Sequence, residues 1–79
     1  MAHKIVSAMI DRSDGSPAKY IVKLLDENFV PVELLPAQYA VNAYVNGNIC
    51  VIIHEHNGRQ HQSIYDIANR RFTVLYDGW

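Results

Sequence analysis

PAQYAVNAYVNG, residues 36 to 47, decides the fold, and it can be read two ways. As a helix it puts Ala37, Ala40, Val41, Tyr44 and Val45 on one face, with Pro36 in the first turn and Gly47 just past the end. As a strand it alternates, with Tyr39, Val41, Ala43 and Val45 opposite Gln38, Asn42 and Asn46. Three alanines favour the helix on propensity alone. The neighbouring segments favour the strand.

Working outward, Asp14-Gly15, Asn46-Gly47 and Asn57-Gly58 are pairs that suit the positive φ angles of tight hairpins. Asp26-Glu27-Asn28 and Ala68-Asn69-Arg70 are weaker turn signals. Between these turns lie short runs rich in Val, Ile, Tyr and Phe, which predict strands near 4–11, 18–25, 29–34, 39–45, 49–56, 60–67 and 71–77. Pro31 cannot donate to a ladder, so its strand belongs at an edge.

Two-residue loops at 46–47, 57–58 and 69–70 would pair Val45 with Asn48, His56 with Arg59 and Ala68 with Arg71. One face then collects Tyr39, Val41, Ala43, Val45, Cys50, Ile52, Tyr65, Ile67, Phe72, Val74 and Tyr76, and is almost wholly apolar, as a correct register should make it. The expected architecture is a mainly β, single-domain antiparallel meander over residues 1–79, closing as a small barrel or sandwich. The alternative is α+β, with one short helix at about 37–46.

The opposite face is not a wet one. Tyr44, Ile49, Val51, Ile53, Ile64 and Leu75 lie on it beside a few polar residues, so either the N-terminal strands or a second subunit should cover it. Trp79, after the turn-like Asp77-Gly78, either plugs the sheet or adds to that surface. These seven residues form the expected interaction surface. Five tyrosines, two phenylalanines and one tryptophan support such a use, because aromatic side chains bury large area with a polar handle.

Composition excludes several classes. Seven Lys and Arg against eight Asp and Glu give a net charge of −1, without the basic excess of a domain that reads nucleic acid by charge. A lone cysteine rules out an internal disulfide and suits a reducing, cytoplasmic compartment. The apolar run at Cys50 to Ile53 is far too short to span a membrane as a helix. The start, MAHKIVSAMIDRSDG, reads as a first strand without a cleavage pattern, and the chain as a complete small protein.

HEHNGRQH, residues 54 to 61, carries the one cluster with metal-ligand character. Across an Asn57-Gly58 hairpin His54 faces His61, and His56 shares their side, with β-carbons about 4.5–5.5 Å apart for the direct pair. Three imidazoles can hold zinc with an open fourth position. Against that, Arg59 lies on the same face, and Glu55, Gln60 and Gln62 point away, so no carboxylate orients the rings. Ser63 is diagonal to His54, but no acidic residue on that face completes a nucleophile–base arrangement. Cys50 is about 13 Å along the strand from His54 and reads as a small buried hydrophobe.

Basic residues with aromatics occur at Arg12, Lys19, Lys23 and Tyr20, and at Arg59, Arg70 and Arg71 with Phe72, a recipe for single-strand binding. The expected function is a non-catalytic protein-binding module of inhibitor or adaptor type that uses no cofactor. It self-associates as a homodimer through a sheet with two apolar faces. Small proteins of phages and mobile elements often work this way. A nucleic-acid-binding β domain using Arg59, Arg70 and Arg71 is the alternative; a metal protein holding zinc on His54, His56 and His61 is a further one.

Overall fold

The computed structural model describes residues 4–13 and 15–77. The first sheet contains β1 (Ile5–Asp11), β2 (Ile21–Asp26) and β3 (Pro31–Pro36), in that order. The second contains β4 (Ala40–Asn46), β5 (Ile49–His56), β6 (Arg59–Asp66) and β7 (Arg71–Val74). All pairings are antiparallel and join strands that are neighbours in sequence. A 3-10 turn, Pro17–Lys19, lies between β1 and β2. The fold is therefore mainly β, as expected, and the two sheets do not close into a barrel. β3 takes an edge, where Pro31 and Pro36 leave no ladder bond unmade.

Residues 40–46 are a strand, so the helix alternative is set aside. Alanine favours helix by only a few tenths of a kcal/mol over its competitors. The strand instead sets Ala40 opposite His54, Ala43 opposite Ile52 and Val45 opposite Cys50, all toward the core. That ladder and its burial outweigh the propensity.

The hairpins differ from the expected ones in two places. Asn57 (φ 55°) and Gly58 (φ 76°) form the tight turn, and His56 pairs with Arg59 as expected. The β4–β5 loop, however, is Gly47-Asn48, which pairs Asn46 with Ile49 and Val45 with Cys50, not with Asn48. This two-residue shift leaves every side chain on its expected face. The β6–β7 loop has four residues, 67–70, and pairs Asp66 with Arg71 where Ala68 was expected. The Asp66 carboxylate holds this loop by accepting from the Asn69 backbone (3.1 Å) and side-chain amide (2.7 Å).

Two register shifts also move side chains. One in β4, between Ala40 and Asn42, turns Val41 outward, where it is exposed. The other, opposite Ile64 and Tyr65 in β7, puts Val74 beside Ile64 on the outer face, although simple alternation from Phe72 would have kept Val74 inside. Tyr39, also expected inside, sits in the preceding turn at φ 56°.

The core is shared by the two sheets. Val22, Leu24 and Leu35 from the first meet Ala40, Cys50, Ile52 and Tyr65 from the second, with Ile10, Ala43, Val45 and Phe72 packed around them. The Tyr65 hydroxyl donates to the Glu33 carboxylate, which also pairs with Arg70 at 3.5 Å, so β3 is tied to the second sheet through one acid. The first sheet thus folds over the inner face. On the outer face of the second sheet Tyr44 and Val74 are nearly half exposed, whereas Val51 between them is buried. The Cα envelope is only 15 Å in its thinnest dimension, which leaves no space for a third layer.

Candidate functional site

The three histidines do share the inner face, at the end where β5 and β6 turn. His54 is fully buried. Its Nδ1 lies 2.5 Å from the Gln38 carbonyl, which can only accept, so Nδ1 carries the proton. Nε2 is then an acceptor and takes the Ser63 hydroxyl proton at 2.7 Å. Ser63 Oγ in turn accepts from the Tyr76 backbone N–H at 2.9 Å. A relay of three hydrogen bonds therefore links β7's trailing segment, β6, β5 and the turn before β4.

The other two imidazoles pack against tyrosines. His56 stacks on Tyr39 with ring centres 3.8 Å apart, and its Nδ1 lies 3.2 Å from the Tyr76 hydroxyl. His61 stacks on the opposite side of the cluster against Tyr76 at 4.3 Å. Tyr76 also tilts against His54 at 4.9 Å. Among the described residues no three His, Cys, Asp or Glu side chains are grouped to hold a metal ion. The chemical reason is visible at His54, where both ring nitrogens already serve protein partners and offer no lone pair to a cation.

Burial, followed by the nearby His61, holds the His54 imidazole below its ordinary pKa, with the Gln38 carbonyl opposing. The folded protein thus favours neutral His54, while the unfolded chain titrates near 6.5. As pH falls below that value the unfolded state takes up a proton that the folded state refuses, so stability drops. Between pH 7.5 and 5.5 this group alone should remove up to about 1.4 kcal/mol per pH unit, the limit for one proton. Urea unfolding across that range should show the slope, and H54L should flatten it. An unchanged slope in H54L would remove His54 as its source. The carboxylates act in a separate, more acid window: Asp11, held by Ser13 and Lys23, is lowered to about 2.

Ser63 and His54 resemble a nucleophile and base, with a backbone carbonyl where a carboxylate would stand. Both are fully buried, and Ser63 Oγ already accepts from a backbone amide. Cys50 is buried as well, and burial pushes its thiol up to about 11, far from the thiolate form. None of these groups meets solvent. The contact to Gln38 was invisible to strand pairing, because it is made by a turn sixteen residues away.

The expected basic cluster is divided. Arg59 stands at one end of β6 and Arg71 pairs with Asp66 at the other, about 23 Å away at ~3.3 Å per residue. Arg70 is tied to Glu33, and Phe72 packs edge-on against Tyr65 in the core. Near the first hairpin Lys23 pairs with Asp11 at 3.2 Å. These cations form no common patch.

The apolar surface is coherent. Across β4, β5, β6 and β7 the register aligns Tyr44, Val51, Ile64 and Val74 in one row, with Ile49 and Ile53 on either side of Val51. Polar residues rim it: Asn46, Asp66 and Arg71 at one end, Asn42 and Gln62 at the other. Tyr44 and Val74 are each nearly half exposed. Val74 was missed by the sequence reading and takes the place expected for Leu75, which is exposed beyond the strand. Trp79 lies outside the described residues. Among the described residues, no helix is long and apolar enough to cross a membrane.

Comparison with family models, curated proteins and solved structures finds no match.

Proposed function

We propose that this chain is a non-catalytic, self-associating protein-binding module of inhibitor or adaptor type. The observation that carries the reading is the apolar row Tyr44–Val51–Ile64–Val74, open to solvent at its two ends, Tyr44 and Val74, and ringed by polar side chains. An apolar centre ringed by polar side chains is the anatomy of a protein interface. The occupant is a second copy. The centre of the face holds no charge, so two copies meet without burying an unpaired ion, and a net charge of −1 gives little repulsion between them.

Four strands at about 4.8 Å spacing and some five residues at ~3.3 Å give a footprint roughly 19 by 17 Å. This is the small end of specific interfaces, which predicts micromolar, not nanomolar, association. A lone reduced cysteine supports a cytoplasmic setting. The divided arginines weigh against the nucleic-acid alternative.

Sedimentation velocity from about 5 to 500 μM should show a monomer–dimer equilibrium. Placing aspartate at both exposed positions, Y44D with V74D, should weaken it at least 30-fold without loss of the folded spectrum. A strictly monomeric wild type over that range, or a dimer indifferent to both substitutions, would remove this face as the contact. Native mass spectrometry of untagged protein reports bound metal in the same experiment.

A further inference from the structure

A cleft of about 450 Å³ opens where the end of β1, the Pro17–Lys19 turn and the start of β4 come together. Its walls are Pro17, Tyr20, Tyr39, Ala40 and the outward-turned Val41, and among the described residues the charges that line it are Arg12 and Glu55. The volume falls within the range of small-ligand sites, and the cleft is open to solvent on one side. It shares no residue with the apolar row on the outer face.

The cleft is built rigidly. Tyr39 holds φ 56°, a left-handed conformation that costs a tyrosine free energy and persists only when its surroundings enforce it. The enforcement is complete: its N–H donates to the Pro17 carbonyl at 2.7 Å, its carbonyl accepts from Glu55 N–H at 3.0 Å, and its ring stacks on His56. Strain of this kind collects where a wall must be held in place for a ligand. The Arg12 guanidinium sits 5.5 Å from the centre of the Tyr20 ring, and no carboxylate among the described residues forms an ion pair with it. Its planar donor fork matches the geometry of an incoming carboxylate.

We infer that this cleft binds an aromatic carboxylate that also bears a hydrogen-bond donor, the chemistry of an aromatic α-amino acid. The carboxylate pairs with Arg12, the ring lies on the tyrosine and valine walls, and the amino or amide N–H meets Glu55. Glu55 is what selects this class. Its negative charge disfavours doubly charged phosphate esters, which Arg12 alone would otherwise attract. The same chemistry occurs in a free amino acid and in the last residue of a peptide.

Titration of ¹⁵N-labelled protein with L-tryptophan, L-tryptophan amide and N-acetyl-L-tryptophan tests the assignment. Tryptophan should shift the amides of Arg12, Tyr20, Tyr39, Val41 and Glu55 at low-millimolar concentration or below. The amide, lacking the carboxylate, should bind at least tenfold more weakly. R12Q should lose the same factor for tryptophan while leaving the amide unaffected. N-acetyl-tryptophan binding as well as tryptophan assigns the site to peptide C-termini; tenfold weaker binding assigns it to the free amino acid. Equal binding of acid and amide, or no shift at these residues up to about 10 mM, overturns the proposal.

Discussion

Replacing Ile52 with alanine should cost about 3–4 kcal/mol, the largest effect expected of any single change in this protein. Ile52 is fully buried at the centre of β5, between Ala43 and Ser63, and faces the first sheet through the shared core. Its loss removes the transfer free energy of three carbons and leaves a cavity that two sheets, each fixed by its own ladder, cannot collapse to fill. A chain of this length has a total stability of roughly 4–12 kcal/mol, so I52A should be close to unfolded at 37 °C. Urea titration at 25 °C measures it directly. V74A, on the exposed outer face, should lose under about 1 kcal/mol in the same assay. Comparable losses at both positions would mean that the two sheets do not share one core.

The second large effect is expected at Ser63. S63A removes one hydroxyl and orphans two buried groups: the Tyr76 N–H that donated to it and the His54 nitrogen that accepted from it. Each costs about 1–3 kcal/mol when left unmade, so the variant should lose about 2–4 kcal/mol despite a change of one atom. The interaction is a relay, so the effects should not add. In H54L with S63A the imidazole is gone, and the serine's absence strands only the Tyr76 amide. A double-mutant cycle should therefore return a coupling of at least about 1 kcal/mol. Strict additivity would show that His54 and Ser63 contribute independently and that the relay has no energetic meaning.

The contrast between these two positions shows what pattern alone could read. Ile52 was legible: strict alternation around Asn57-Gly58 fixed its face, and the β5–β6 register follows from a turn with only one good geometry. The His54–Ser63 diagonal was legible for the same reason. Its meaning was not, because the partner that sets the tautomer is the backbone carbonyl of Gln38, and a carbonyl leaves no signature in residue type. Val41 and Val74 were misplaced because a register shift changes a strand's facing without any change in composition. Arg59 and Arg71 stand at opposite ends of β6 because the whole strand runs between them, whatever the length of the loop that follows. The inner and outer faces of the second sheet are both apolar, so sequence did not say which one the first sheet would cover.

The order of the strands has one further result. Every ladder joins a strand to its successor in the chain, and no strand crosses from one sheet to the other. Each pairing closes a loop of two to nine residues and spends little chain entropy, unlike the Greek-key sandwiches whose distant strands must find each other first. The two sheets can form as separate hairpin arrays, residues 5–36 and 40–74, and the Glu33 contacts to Tyr65 and Arg70 across them can form only at docking. Refolding should be fast for a β protein, with docking as its slow event. Substitutions at Glu33 should then speed unfolding while leaving the folding rate almost unchanged.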